Sequence, residues 1–153
     1  MQKKSIARNK KANFDFFITE KIEAGIMLKG SEVKSLRLGG ASIAESYADA
    51  QENGELFLVN SYIKEYEGSG NYLQHDPKRI RKLLLHKKEL QKYIGAISKK
   101  GITIVPLELY FDKNGRVKIL LGIAEGKKQH DKRATIKEKD WKREQGRILK
   151  GKI

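Results

Sequence analysis

Apolar and polar positions alternate in short blocks along most of this chain, and the spacing of those blocks predicts more strands than helices. Phe14, Phe16 to Ile18, then Ile22, Ile26 and Leu28, bounded by Gly25 and Gly30, predict two strands. Ser31 opens a segment in which Val33, Leu36 and Leu38 are apolar and Gly39 and Gly40 follow. A hydroxyl residue at the start and glycine at the end predict a short helix with Ser31 as its N-cap. Residues 41–50 alternate again, Asn53-Gly54 is a turn signal, and Leu56 to Ile63 supplies the returning strand of a hairpin. Residues 67–76 carry glycine without periodicity and predict a loop, closed by Pro77. Leu90, Ile94 and Ile97 recur at helical spacing before Lys99-Lys100-Gly101, which predicts a helix with a narrow apolar face and cations at its C-terminal end. Ile102 to Phe111, the turn Asp112 to Gly115, and Val117 to Ala124 predict a second hairpin.

About six short strands, two or three helices and closely spaced turns suggest a mainly β fold, a closed antiparallel barrel with short helices packed at its ends. Three regions differ in composition. Residues 1–12 form a basic N-terminal arm: Lys3 to Lys11 holds five Lys/Arg, no acid and one large apolar residue, Ile6, so it should not fold by itself. Residues 13–125 carry the strand pattern and are the expected barrel domain. Residues 126–153 hold 11 Lys/Arg against 4 acids and little core-forming content, and in a helix only Trp141 and Ile148 would share a face. Helix-favouring Lys, Glu and Arg dominate there, and Glu138 with Lys142 makes a supportive pair. The expectation is a tail that is disordered when free and helical when bound.

Charge narrows the function. The 153 residues hold 33 Lys+Arg and 19 Asp+Glu, a formal net charge of +14, and such a surplus repels itself unless a polyanion is nearby. Nucleic acid is the first expectation. No apolar run approaches the roughly 18 residues of a membrane-spanning helix, and no apolar signal core follows the basic N-terminus, so a cytoplasmic location is expected. Zero cysteines exclude a disulfide framework, a thiolate zinc site and a cysteine nucleophile. His75, His86 and His130 are scattered without metal-site spacing, no phosphate-binding glycine loop is present, and no catalytic dyad stands out, so no enzyme activity, metal or cofactor is expected.

Two features could bind RNA. The basic run from Lys78 to Lys88 places Lys78, Arg79, Arg81, Lys82, Lys87 and Lys88 around Ile80 and Leu83 to Leu85. It reads either as a scaffold for phosphate contacts or as a solvated strand edge guarded by charge. Aromatic side chains can stack on unpaired bases. Phe14, Phe16, Phe17, Phe57, Tyr110 and Phe111 sit in apolar strands and are expected in the core, which leaves Tyr47 and the single Trp141 as stacking candidates.

Several stretches together resemble one family, small protein B, the transfer-messenger-RNA (SsrA RNA)-binding protein of trans-translation. They are Asn9-Lys10-Lys11-Ala12 leading into Phe14 to Ile18, Glu23-Ala24-Gly25-Ile26, Gly30 to Arg37, His75-Asp76-Pro77-Lys78 through His86, and Gly122 to Arg133 with the string Gly126-Lys127-Lys128-Gln129-His130-Asp131-Lys132-Arg133, on to Trp141. The resemblance covers essentially the whole chain. Two departures are Glu125, where the family commonly has a cation, and Ser31, where threonine is usual.

The resemblance implies a barrel related to the oligonucleotide-binding fold that holds the tRNA-like domain of transfer-messenger RNA, stands in for an anticodon stem, and delivers the RNA to stalled ribosomes. It implies an RNA-contacting face of Asn9, Glu23, Lys34, Arg81, Lys82, Leu84 and Lys118. It also implies a tail, Gly126, His130, Asp131, Lys132, Arg133, Trp141 and Ile148, that probes the vacant decoding site and message channel. Partners would be transfer-messenger RNA and small-subunit ribosomal RNA, with elongation factor Tu and alanyl-tRNA synthetase reached through the RNA. A ribosomal or general single-strand RNA-binding protein would share the charge and aromatics and would lack preference for this RNA. An RNA-processing enzyme would need a carboxylate cluster or metal.

Overall fold

The computed structural model describes residues 3–67 and 74–126. It contains nine strands and three helices within these residues. In chain order they are β1 (Lys4–Arg8), α1 (Ala12–Asp15), β2 (Phe16–Ile26), α2 (Gly30–Arg37), β3 (Ala41–Ser42), β4 (Tyr47–Ala50), β5 (Leu56–Val59), β6 (Tyr62–Ile63), β7 (Arg81–Leu84), α3 (Lys87–Ile97), β8 (Ile102–Phe111) and β9 (Val117–Gly126). Strands β8, β4, β5, β7, β2 and β9 pair in that order, and β9 pairs with β8 again, so six strands close into a ring. All its pairings are antiparallel. The expected closed, mainly β arrangement is met by this ring.

The two hairpin turns are built alike. In each, a residue before the turn donates its N–H to the carbonyl of the residue four on: Gln51 to Glu55 at 2.9 Å, and Asp112 to Arg116 at 2.8 Å. Gly54 and Gly115, both at φ +77°, supply the left-handed residue that closes the turn.

Three expectations change. The N-terminal arm is a strand, because β1 pairs along β8 from Lys4↔Phe111 to Arg8↔Glu108. Of the cations that argued against folding, Lys3 and Arg8 pair with Glu108 of β8, and the edge of β8 supplies the strand partner. The two strands expected between Phe14 and Leu28 are one, β2, preceded by the single helical turn α1. A one-residue bulge at Thr19 explains the broken pattern. Before it, Phe16 and Ile18 pack outside the ring with Ala12, Val105 and Ala124; after it, Ala24 and Ile26 enter the main core. Finally, Ser31 is not the N-cap of α2: Lys29 is, and Glu32 accepts its N–H at 2.7 Å.

The core holds Leu56, Leu58, Leu83, Ile104, Leu109, Ile119 and Leu121 from the ring, with Leu36 from α2 and Tyr93 from α3. On α3 the expected stripe of Leu90, Ile94 and Ile97 packs against that core, joined by Tyr93. Pro106, which has no N–H to give a ladder, falls where β8 changes neighbour from β4, at Ile104, to β1, at Glu108.

Candidate RNA interface

The position of β7 is set by buried charge. Glu32 on α2 is 0% exposed. Its carboxylate accepts from Arg79 Nη2 at 2.5 Å and from Arg81 Nε at 2.5 Å. Arg81 is also 0% exposed and donates onward to Ser61 Oγ at 2.8 Å and to the Pro77 carbonyl at 3.2 Å. Burial pushes the Glu32 carboxyl up, but the Arg79 hydrogen bond, the Lys29 N–H and Arg81 together hold it below its ordinary value. Beside it, His75 is buried, with Nε2 3.0 Å from the Ile63 carbonyl and Nδ1 2.8 Å from Ser31 Oγ. A carbonyl can only accept, so Nε2 carries the proton, and in the neutral ring Nδ1 accepts from the serine hydroxyl. This network ties α2 to residues 74–81 and aims the rest of β7. Arg81 therefore leaves the expected RNA-contacting set, because its guanidinium is consumed inside the protein and meets no solvent.

The outer face of the ring gathers other expected residues. Gly25 of β2 lies opposite Leu84 of β7 on one side and Lys118 of β9 on the other, and Lys118 lies opposite Tyr110 of β8. Adjacent strands are about 4.8 Å apart, so Leu84, Gly25 and Lys118 form one row roughly 10 Å long. Glu23 is the next outward residue on β2. A cavity of about 430 Å³ sits at this row, lined by Gly25, Leu28, Val33, Leu84, Arg116 and Lys118 among others. Leu84 is 47% exposed, an apolar side chain held out to solvent beside cations. Lys82 points to the same side of β7 and binds Glu55 at 2.9 Å. Lys34 is exposed on α2, beside Val33, with its ammonium 5.6 Å from the centre of the Tyr66 ring.

Asn9 belongs elsewhere. Its Nδ2 donates to the Pro106 carbonyl at 3.0 Å, and it lines a separate cavity of about 280 Å³ with Lys11, Ser46 and the exposed Tyr47. Gly126 closes β9 opposite Phe16. His130, Asp131, Lys132, Arg133, Trp141 and Ile148 lie outside the described residues.

Tyr110 was expected as core packing only, and that underrates it. Its ring is buried, yet its hydroxyl donates to Glu23 Oε2 across β9. Burial and then the Glu23 carboxylate raise its pKa far above the ordinary phenol, so the hydroxyl keeps its proton and remains a donor. Lys3 covers the ring at 4.3 Å from its centre and reaches Glu108 at 2.5 Å. The alternation of Glu108 and Tyr110 along β8 was the available signal, hidden by the bulge that turns this half of the strand over. Phe17, also expected in the core, is exposed.

Residues 6–151 match the family model described as SmpB protein. The chain belongs to the SmpB protein family. Among SmpB relatives, an SsrA-binding protein of Rickettsia typhi is 60% identical over 151 residues, covering 98% of this chain and 97% of its own length. One from Orientia tsutsugamushi is 54% identical over 150 residues, covering 98% and 97%. A solved structure described as "tmRNA-SmpB: a journey to the center of the bacterial ribosome" superposes with a TM-score of 0.66 at 52% identity, covering 80% of this chain and 84% of that one. Among the described residues there is no group of three or more His, Asp or Glu placed to hold a metal ion, and no helix is long and apolar enough to cross a membrane.

Proposed function

We infer that this chain binds the tRNA-like domain of transfer-messenger RNA and delivers it to stalled ribosomes for trans-translation. The observation that carries this is near-full-length identity to SsrA-binding proteins, joined to a fold shared with the solved tmRNA-SmpB structure. The geometry supplies a means: an outer ring face that combines cations, an exposed leucine and an oriented carboxylate, as recognition of an unpaired RNA segment requires.

The protein acts as a binding scaffold in the cytoplasm, and no bond is made or broken by it. Glu23, Lys34, Lys82, Leu84 and Lys118 form the RNA face, and Asn9 contributes from its own cavity. Residues 126–153, with net charge +7, serve the ribosome: a cationic chain entering an RNA-lined channel gains electrostatically as it loses conformational entropy. Folding of that tail where no message lies would report a vacant channel.

Binding of the full chain, and of a form ending at Gly126 where β9 ends, to the isolated tRNA-like domain and to a duplex of equal charge across a salt series tests this division. Both forms should prefer the tRNA-like domain. Loss of that preference on truncation assigns recognition to the tail, and a full chain that does not distinguish the two RNAs is a general RNA binder.

A further inference from the structure

Hydrogen-bond acceptors without donors gather in the cavity of about 280 Å³ between α1, β8 and the segment leading into β4. Ser46 there is 4% exposed, and neither its Oγ nor Asn9 Oδ1 has a hydrogen-bond partner among the described residues. The Asn9 amide cannot turn over to relieve this. Its Nδ2 donates to the Pro106 carbonyl at 3.0 Å, and a carbonyl only accepts, so the oxygen is the atom left facing the cavity. Buried polar atoms are rarely left unpaired, and these two call for a donor. Glu45 lines the same space, is exposed, and forms no ion pair among the described residues. With Asp15 and Glu45 against Lys11, this is an acidic hollow on a chain of net charge +14. An anion is repelled here, and a cation is drawn in.

Strand β9 ends against this cavity. Gly126 lies opposite Phe16 and Ala124 lies opposite Thr103, and both of those opposing residues line it. Because β2 and β9 are antiparallel, a chain leaving β9 past Gly126 heads toward the residues that precede Phe16, those of α1. Side chains alternate along a strand, and Ala124 packs on the cavity side with Ala12, Val105 and Phe16. Gly126 falls on that side too, where a Cβ would meet nothing within 4 Å, so the way is open.

We propose that the cavity is a docking site for the root of this chain's own basic tail, taking the ammonium of Lys128. Alternation carried two residues past Gly126 brings Lys128 to the cavity side and turns Lys127 away from it. An ammonium carries three donors and no acceptor, and Asn9 Oδ1, Ser46 Oγ and the Glu45 carboxylate supply three acceptors. A cation tethered to the end of β9 is presented at high effective concentration, so even a weak site fills. The clamp sets the direction in which residues 129–153 leave the ring. It goes beyond the transfer-messenger-RNA reading and does not depend on it: RNA reaching Asn9 would compete with the ammonium for the same oxygen, so the clamp describes the chain before it meets RNA.

The test is limited acetylation of the full chain, without RNA, by N-hydroxysuccinimidyl acetate. Cleavage after glutamate then isolates the segment that follows Glu125, and mass spectrometry reads Lys127 and Lys128 side by side. Lys128 should react about tenfold more slowly than Lys127, the protection that a hydrogen-bonded charge confers. Glu45→Gln and Ser46→Ala should each raise the Lys128 rate toward that of Lys127. Equal rates in the unaltered chain overturn the clamp and leave the cavity to water. A slow Lys128 that neither variant speeds overturns the cavity as its cause, and a slow Lys127 in its place overturns the assignment to Lys128. Should Ser46→Ala fail to fold, Glu45→Gln, at an exposed position, decides alone. Since no RNA enters the measurement, its failure leaves the RNA reading where it stands.

Discussion

Two carboxylates, Glu32 and Glu23, show how one residue type serves opposite ends in this fold. Glu32 is sealed between α2 and β7 and satisfied by two arginines and a backbone N–H. Glu23 stands in solvent on β2, held by one tyrosine hydroxyl, with lone pairs left over. Burial makes the first expensive to disturb, since each charge there exists only because the others do. Exposure makes the second cheap to disturb for the fold and leaves it open to a partner. The lesson is that the arginine buried in the middle of the basic run builds the site, while the exposed groups it aims are the ones left to meet a partner.

The largest effect should come from the buried network. Arg81→Ala leaves Glu32 short of a partner inside the protein and should cost about 3–5 kcal/mol, measured by urea unfolding. The same network sets a pH dependence. The folded-state pKa of Glu32 is lowered, so its stabilisation is present above the ordinary carboxylate value of 4.5 and is lost as pH falls through the lower folded value. Unfolding curves taken downward from pH 6 should therefore show a steeper loss in the unaltered chain than in Glu32→Gln, which starts less stable and has no such proton to bind. Parallel pH slopes would remove Glu32 from the account.

On the outer face the expected balance reverses. Lys118→Ala should weaken binding to transfer-messenger RNA and reduce the salt slope by about one phosphate contact, while stability stays within roughly 0.5 kcal/mol. A change in melting without a change in salt slope would class Lys118 with the buried network instead. The smallest effect belongs to a pair that serves neither end: Lys92 and Glu20 meet at 2.6 Å with both side chains about half exposed. Lys92→Ala should change unfolding free energy by less than about 1 kcal/mol and leave RNA affinity within twofold, apart from the loss of one unit of positive charge.

Much of this was visible in the residues before any coordinates. Both hairpins were legible because Asn53-Gly54 and Asn114-Gly115 leave the chain little choice of turn, and α3 was legible because its apolar stripe repeats at helical spacing. The break in β2 was misread, since a bulge swaps inner and outer faces and looks like the end of one strand and the start of another. Glu32 and Arg81 were invisible as a pair because they are 49 residues apart and resemble every other surface charge. Tyr110 was filed with the core for its apolar neighbours, although its hydroxyl ends on the outer face.

The sequence by itself determined the local choices, the excess of positive charge and the membership in an RNA-binding family, because these depend on residue type and on short-range spacing. Only the tertiary structure decided which cation is structural and which is free, and that Leu84, Gly25 and Lys118 share a row. Those outcomes depend on ring closure and strand register, which bring together β2, β7 and β9 from distant parts of the chain, and no local pattern encodes a register set by partners so far apart.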